Sequence, residues 1–211
     1  MSEIPVEIKN LLKKYTPEEI NYMIKKSHEM IIRRRSMKIP IYTKEKVENI
    51  IKKYDKKQDK TLKKKTLVIC HGKKHKKKFK NALLLNRSDI AKPDIISNAW
   101  SDEAMGYLPK EYFDIIIMEY CPLGNPFSTK NKILWKNLYR ILKKGGKIEN
   151  SSILGLYGIN VKEKSYDEMN DKEKSIVENE VEKHIKKLKF KNIKHLNNPN
   201  ENEDKITIIF K

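Results

Sequence analysis

A series of short, uninterrupted apolar runs constrains the fold of this chain more than any other feature of its sequence. The clearest run is Asp114–Met118, which reads Asp-Ile-Ile-Ile-Met. A strand that is covered on both faces is apolar throughout, whereas a strand with one wet face alternates apolar and polar residues. Such runs begin near Thr66 and are separated by longer segments. The pattern predicts a mostly parallel sheet with connections that pack on both of its faces.

Seven strands and two helices are predicted from this point onward. One helix covers Ile133–Lys143 and is expected to end at Gly145-Gly146, and the other covers Tyr166–Leu188. A polar turn joins the last two strands, which predicts an antiparallel hairpin. The fold class is therefore α/β, a doubly wound, mostly parallel seven-stranded sheet with an antiparallel C-terminal hairpin. The predicted strands are Leu67–Cys70, Leu83–Leu85, Asp94–Ser97, Asp114–Met118, Lys147–Leu154, Phe190–Leu196 and Ile206–Phe210.

The residues before the sheet predict two basic helices. Thr16-Pro17-Glu18-Glu19 is a helix start, because threonine caps, proline suits the first turn and the second glutamate completes a capping box. This helix is expected to end near Arg35, and a second spans Lys44–Tyr54. The next stretch lacks apolar periodicity and is typical of a solvated linker. We therefore predict a helical basic region over 1–54, a Lys-rich linker over 55–65 and an α/β domain over 66–211.

Positive charge is concentrated near the start of the chain. Residues 1–80 contain 25 basic and nine acidic residues, a net charge of +16 out of +19 for the whole chain. Such a field favours polyanions, because each lysine that neutralises a phosphate releases a counterion. The alternative is a solvated surface enriched in Lys by an A/T-rich genome, such as that of a large DNA virus or an intracellular parasite. The candidate nucleic-acid contacts are Lys73, Lys74, Lys76, Lys77, Lys78, Arg33, Arg34 and Arg35.

Other partners and compartments leave weaker signals. There is no long apolar run, signal peptide or amphipathic helix with a broad aromatic face, so we expect no membrane contact. Two cysteines, Cys70 and Cys121, form no disulfide framework and suit a reducing compartment, the cytoplasm or nucleus. With His71 and His75 nearby, a zinc site or a cysteine nucleophile is conceivable. Without a Cys-x-x-Cys spacing we expect no metal.

The order of elements and two motifs resemble a known family. Residues 66–211 resemble class I S-adenosylmethionine-dependent methyltransferases, which have a Rossmann-like fold. The motifs are PDIISNAWSDEAMGYLPKEYFDIIIMEY at 93–120 and LYRILKKGGKIE at 138–149. In the family these contain the third and fourth strands and a helix ending in Leu-Lys-x-Gly-Gly, and the C-terminal hairpin also matches. The resemblance implies S-adenosylmethionine as cofactor.

The resemblance also implies where that cofactor is held. The family has a glycine-rich turn after its first strand, but here Cys-His-Gly-Lys-Lys-His-Lys-Lys-Lys keeps only Gly72. The acidic residue that holds the ribose after strand two is replaced by Asn86, with Asp89 three residues on. Asn98 and Ala99 align with the adenine contacts. The implied cofactor-binding residues are Cys70, His71, Gly72, Asn86, Asp89, Asn98 and Ala99.

The target is expected beside the end of the fourth strand. The implied catalytic residues are Glu119, Tyr120 and Pro122. Adenine-N6 methyltransferases carry Asp/Asn-Pro-Pro-Tyr/Phe at this place, and neither Glu119–Pro122 nor the later Asn125-Pro126-Phe127 matches it. The latter is typical of a turn.

Two functional hypotheses follow. The first is a methyltransferase-like enzyme that acts on nucleic acid, with RNA preferred. The alternative is an inactive methyltransferase-like fold that serves as a basic nucleic-acid-binding, packaging or scaffold protein, or as the silent partner of an active subunit. Methylation of a protein or a small molecule is a third possibility, without a positive feature in the sequence.

Overall fold

The computed structural model describes residues 15–36, 40–58, 64–71, 78–119, 126, 128–150, 169–197 and 205–211. The chain divides into two units, Met1–Ile39 and Pro40–Lys211. The first unit contains helix α1, Pro17–Ser36. Its predicted capping box is present, because the Glu19 amide donates to Thr16 Oγ1 and the Thr16 amide donates to a Glu19 carboxylate oxygen.

The second unit is built on a seven-stranded sheet in the order β3-β2-β1-β4-β5-β7-β6. The first five strands run parallel to one another, and β7 runs antiparallel to both β5 and β6. This topology confirms the predicted fold class. The strands are β1 Thr66–Ile69, β2 Leu83–Asn86, β3 Ile95–Ile96, β4 Phe113–Met118, β5 Leu142–Asn150, β6 Asn192–Asn197 and β7 Lys205–Phe210.

In the described part of the second unit four helices accompany this sheet, and a large core joins all of them to it. Buried side chains of all four helices pack in one apolar cluster with strand residues such as Leu67 and Ile69. Val68, between those two residues in β1, packs in a smaller cluster with Phe79 and Leu84 on the other face. Among the described helices, none combines the length and apolar character needed to span a bilayer. The helices are α2 Lys44–Lys57, α3 Asp102–Met105, α4 Lys132–Ile141 and α5 Asp171–Lys187.

The glycine pair in the chain has a different role from the predicted one. Helix α4 ends at Ile141, and Gly145-Gly146 lies inside β5 instead of ending the helix. Gly145 has a φ of +78°, and its amide donates to the carbonyl of Lys211. The pairing of β4 with β5 shifts register beside it. Glycine in a strand commonly marks such an irregularity, because it adopts positive φ without steric cost.

The division of the chain in the structure differs from the predicted regions 1–54, 55–65 and 66–211. Helix α2 continues to Lys57, so the first three residues of the predicted linker are helical. Val47 and Tyr54 are buried in the main core, which places α2 in the second unit. The two ends of the predicted linker meet, with Lys65 Nζ 2.7 Å from Asp55 Oδ1. Apolar periodicity could not predict this contact, because polar bonds to each other, to Tyr112 and to Asp114 hold Asp55 and Lys65 in place.

Candidate functional site

The ends of the first four strands meet at one edge of the sheet. The Glu119 amide donates to the Ile69 carbonyl at 3.1 Å, which joins the tips of β4 and β1. The Cys70 amide donates to Leu85, and the Ser97 amide to Asn86, which adds β2 and β3. In open α/β sheets ligands bind outside this carboxyl edge. We call the following residues the carboxyl-edge site: Cys70, His71, Asn86, Ser97, Asn98, Ala99 and Glu119.

The residues directly after β1 are packed into the protein. Cys70 has a φ of +62°, a left-handed conformation that is uncommon outside glycine. His71 is 1% exposed, and its Nε2 lies 3.2 Å from the Ala91 carbonyl oxygen. The His71 carbonyl in turn accepts a hydrogen bond from Asn86 Nδ2 at 2.8 Å. His71 therefore joins the start of this loop to β2 and the turn that follows it.

The state of Cys70 differs from the expected reduced thiol. Cys70 is disulfide-bonded, and the described residues include no free cysteine. The one other cysteine of the sequence, Cys121, lies outside the described residues. A nucleophile or a metal ligand requires a thiolate, which a disulfide does not supply. Within the described part of the chain, no group of three or more His, Cys, Asp or Glu residues could hold a metal ion.

Asn86 stands where the resemblance implies a ribose contact, and both ends of its carboxamide are bonded within the protein. Nδ2 donates to the His71 carbonyl, and Oδ1 accepts from the Ser88 amide at 3.1 Å. A carboxylate accepts through two oxygens, but a carboxamide accepts only through one. Asp89, the other implied ribose contact, is exposed at the start of a short 3-10 turn, Asp89–Ala91. Asn86 therefore cannot replace the family's acidic residue in accepting two ribose hydroxyls.

The segment after β3 forms a local turn. Asn98 Oδ1 accepts from the Trp100 amide at 3.1 Å, and Ala99 is 2% exposed. The Trp100 indole donates to Asn131 Oδ1 at 3.0 Å, which ties this turn to the start of α4. Ser97 is fully buried, and its hydroxyl finds no hydrogen-bond partner among the described residues. Ser97 is not among the site residues predicted from the sequence, although a hydroxyl at the end of an apolar run was the available signal.

Two residues with different predicted roles are paired with each other. Lys78, a predicted phosphate contact, has its Nζ 3.4 Å from Oε1 of Glu119, a predicted catalytic residue. The Glu119 side chain is 10% exposed and the Lys78 side chain 63%. An exposed ammonium contributes little to such a pair, so an incoming phosphate can compete for it.

Several predicted site residues are not placed by the structure. The side chains of three of them belong to α1 but lie outside the described part of the chain, and the others lie outside it altogether. The three in α1 are Arg33, Arg34 and Arg35, and the others are Gly72, Lys73, Lys74, Lys76, Lys77, Tyr120 and Pro122.

The described residues fit S-adenosylmethionine only in part. Ser97, Asn98 and Ala99 offer a buried hydroxyl, an amide and a small side chain where the resemblance implies the adenine. On the ribose side, Asn86 is neutral and bonded internally, and His71 is buried against Ala91. Charge-assisted hydrogen bonds are about twice as strong as neutral ones, so the change from acid to amide matters. The ribose side does not fit the cofactor.

The opposite edge of the sheet carries a denser polar network. The Tyr112 hydroxyl donates to Asp55 Oδ1 at 2.5 Å, and Lys65 Nζ lies 3.9 Å from the centre of the Tyr112 ring. The Lys65 amide donates to Asp114 Oδ2 at 2.7 Å. The Tyr54 hydroxyl accepts from the Thr66 amide and donates to the Thr66 carbonyl. We call Tyr54, Asp55, Lys65, Tyr112 and Asp114 the amino-edge network.

Burial and hydrogen bonds change three pKa values in this network. Burial raises the pKa of Tyr54 to about 12, although the bond with Thr66 works against it. Burial and the bond to Asp55 raise the pKa of Tyr112. Burial alone would raise the pKa of Asp55, but the bonds from Lys65 and Tyr112 outweigh it and lower that pKa. The directions of these shifts favour a protonated Tyr112 that donates to an ionised Asp55, and a protonated Tyr54 that donates to the Thr66 carbonyl.

Comparisons with known proteins bear on the fold. No family model and no curated protein matches this chain. A SAM-dependent methyltransferase from Archaeoglobus fulgidus is 14% identical, with a TM-score of 0.42 over 80% of this chain and 95% of that one. A Thermotoga maritima structure described as a SAM-dependent methyltransferase, possible histamine N-methyltransferase, is 18% identical, with a TM-score of 0.42 over 78% and 86%. The antibiotic-resistance methyltransferase Kmr is 7% identical, with a TM-score of 0.47 over 80% and 93%.

At such low identities and scores, the strand order establishes the fold and these similarities do not. The order β3-β2-β1-β4-β5-β7-β6, with β7 antiparallel to both of its neighbours, agrees with the predicted mostly parallel sheet and its antiparallel C-terminal hairpin. The second unit therefore has the Rossmann-like fold of class I methyltransferases. Fold alone does not determine activity, which depends on the residues of the site.

Proposed function

We propose that this chain is a nucleic-acid-binding protein built on a methyltransferase-like fold, with RNA preferred as its partner. The observation that supports the proposal is the concentration of a net charge of +16 in residues 1–80. Neutralising phosphates with lysines releases counterions, and this gain does not depend on base sequence. Binding of this kind needs no bound cofactor.

Helix α2 carries part of this positive charge. It contains six lysines and three acidic residues in 14 positions. One of the acids, Asp55, is bonded to Lys65 and Tyr112 in the amino-edge network. Glu48 lies 3.9 Å from Lys44, one turn away. Most of the ammonium groups of α2 therefore remain available to a phosphate backbone.

Methyl transfer from S-adenosylmethionine to nucleic acid is the second candidate. The convergence of four strand tips and the buried hydroxyl of Ser97 favour it. When bound, the cofactor would supply the methyl group, and the protein would contribute proximity and orientation of the target. Asn98 and Ala99 would hold the adenine, and Glu119 would lie beside the target. The bonded carboxamide of Asn86 argues against this candidate.

The salt dependence of nucleic-acid affinity tests the first proposal. We expect log K for a single-stranded RNA to fall steeply with log salt, and a variant with Lys73, Lys74, Lys76 and Lys77 changed to Gln to flatten that slope by about three. The matched control changes four exposed lysines of α5, which removes the same charge from a different part of the chain. A slope that is unchanged in the first variant, or equally changed in the control, would contradict the proposed role. The control residues are Lys172, Lys183, Lys186 and Lys187.

Calorimetry with S-adenosylmethionine separates the two candidates. If the protein only binds nucleic acid, no heat of binding is expected up to ligand concentrations on the order of 1 mM. A dissociation constant on the order of 1 µM would instead establish the second candidate. The titration is run with and without RNA, because a bound substrate could order the site.

A further inference from the structure

A cavity of about 770 Å³ lies between α2 and the beginning of β2. Sites for small molecules usually enclose about 300–1,000 Å³, so this volume suits one. Leu83, the first residue of β2, lines the cavity, whereas Asn86, the last, belongs to the carboxyl-edge site. The cavity therefore lies toward the other end of β2 and is separate from the place where this fold binds its cofactor.

The interior of the cavity is mainly apolar. Ile50 from α2 and Phe79, Ala82 and Leu84 from the β1–β2 region line it. Phe79 and Leu84 pack with Val68 in the smaller cluster on this face of the sheet. Binding of an apolar group of moderate size is favourable here, because it removes apolar surface of the lining from water.

Three exposed lysines line the same cavity. Lys53 and Lys57 lie one turn apart on α2, and Lys80 comes from the β1–β2 region. Within the described part of the chain, no carboxylate forms an ion pair with any of them. Like charges four residues apart on a helix repel each other, so a bound anion would relieve a local cost. The cavity also contains Asp94, but its Oδ2 accepts a hydrogen bond from the Leu84 amide at 2.9 Å.

We infer that this cavity binds one nucleotide of a single-stranded nucleic acid, with the base on the apolar lining and the flanking phosphates on Lys53, Lys57 and Lys80. The inference rests on the proposed function and makes it more specific. Bases of a single strand can leave the stack and enter a pocket, whereas bases of a duplex must first be unpaired. A preference for single strands follows.

The position of the cavity supports a strand over an isolated small anion. Apart from Asp94, the lining comes from residues 50–58 and 79–84, at the two ends of the stretch Lys52–Lys80. That stretch has 14 lysines in 29 residues. Additional cations therefore continue in sequence from both parts of the lining, as a chain of phosphates that extends beyond the cavity would require.

The experiment compares a single-stranded RNA with a duplex of the same length by fluorescence anisotropy. Changing Lys53, Lys57 and Lys80 to Gln should weaken single-strand binding by at least about tenfold and flatten its salt slope by about two. The matched control changes Lys172, Lys183 and Lys187 of α5 and should have a smaller effect. Circular dichroism of each variant verifies the fold.

A second variant tests the base-binding part without a change of charge. Ala82→Leu places a larger side chain at the cavity and should weaken single-strand binding by about tenfold while duplex binding stays the same. Ala82→Ser, which hardly changes the volume, is its control. If Ala82→Leu fails to fold, the triple lysine variant still decides, because its side chains are exposed.

The outcomes separate the inference from the proposed function. Equal binding of single strand and duplex, with neither variant selective, would overturn the inference and leave nucleic-acid binding in place. Absence of binding to both RNAs would remove the proposed function as well. If free AMP bound as tightly as the strand, the cavity would be a site for a free nucleotide. This result would also overturn the inference that it binds a nucleotide within a strand.

Discussion

The two edges of the sheet are held together in different ways. At the amino edge, bonds join residues far apart in sequence, such as Tyr112 with Asp55 and Lys65 with Asp114, and charged groups take part in most of them. At the carboxyl edge, the carboxamide oxygens of Asn86 and Asn98 accept hydrogen bonds from backbone amides two residues further along the chain. At the edge where this fold ordinarily performs chemistry, the carboxamide oxygens are therefore used within local turns, although Asn86 Nδ2 and His71 also bond to residues 15 and 20 positions away. The other edge anchors a helix to the sheet.

The largest expected difference comes from removing one buried ring at each edge. Tyr54→Ala deletes a core side chain and both of its bonds to Thr66, and should lower the free energy of unfolding by about 3–5 kcal/mol. His71→Ala removes a ring outside the apolar clusters and should cost only about 2 kcal/mol. Urea denaturation of both variants measures the difference.

Tyr54→Phe is the control for this comparison. It keeps the ring and removes the hydroxyl, so a loss of about 1–2 kcal/mol would isolate the bonds to Thr66. If His71→Ala cost as much as Tyr54→Ala, the two edges would contribute equally and the contrast would be unfounded.

The next effect is a loss of stability in alkali. Burial raises the pKa of Tyr54 from the usual 10 to about 12, so the folded state keeps its proton longer than the unfolded state does. The contribution is fully present below pH 10 and disappears as the pH rises toward 12. Two pH units correspond to about 2–3 kcal/mol. Denaturation across this range measures it.

Lysines also lose their protons in this range, so the useful quantity is the stability difference between the native chain and Tyr54→Phe. That difference should shrink above pH 10. A difference that stays constant up to pH 12 would mean that the Tyr54 hydroxyl is not sequestered, and the amino edge would be looser than its contacts indicate.

Much of the fold was predictable because its signals are local. The run Ile115–Met118 is apolar throughout, as a strand between two covered faces requires, and it lies at the centre of the sheet in β4. The start of α1 was predictable from its capping box. The role of Gly145-Gly146 was not, because glycine suits a helix end and a strand irregularity equally, and only pairing with β4 decides between them.

The candidate site was less predictable because its state depends on contacts between loops. The predicted site residues lie at strand ends that meet at the carboxyl edge, but no signal in the sequence indicated the bond that joins Asn86 to the His71 carbonyl. Two lysines of the cavity could be placed together from the sequence, because Lys53 and Lys57 are four residues apart on α2. Its third lysine, Lys80, could not be assigned, because no periodicity connects the β1–β2 region with a helix before the sheet.

The smallest expected effect on stability, and the sharpest test of the carboxyl edge, is Asn86→Asp. The change restores the acidic residue that the family has after strand two. It replaces the donor Nδ2 by an acceptor facing the His71 carbonyl, so stability should fall by about 1 kcal/mol. At the same time the site gains a second oxygen that can accept a ribose hydroxyl, and calorimetry should detect S-adenosylmethionine more readily than in the native chain.

Asn98→Asp, in a turn that the resemblance assigns to the adenine, is the matched control for added negative charge. If Asn86→Asp gains no affinity while the native chain also binds none, the obstacle is not this amide, and the buried His71 becomes the next group to change. If the native chain already binds the cofactor and Asn86→Asp changes nothing, the internal bonds of Asn86 do not exclude the ribose, and the two edges differ in stability alone.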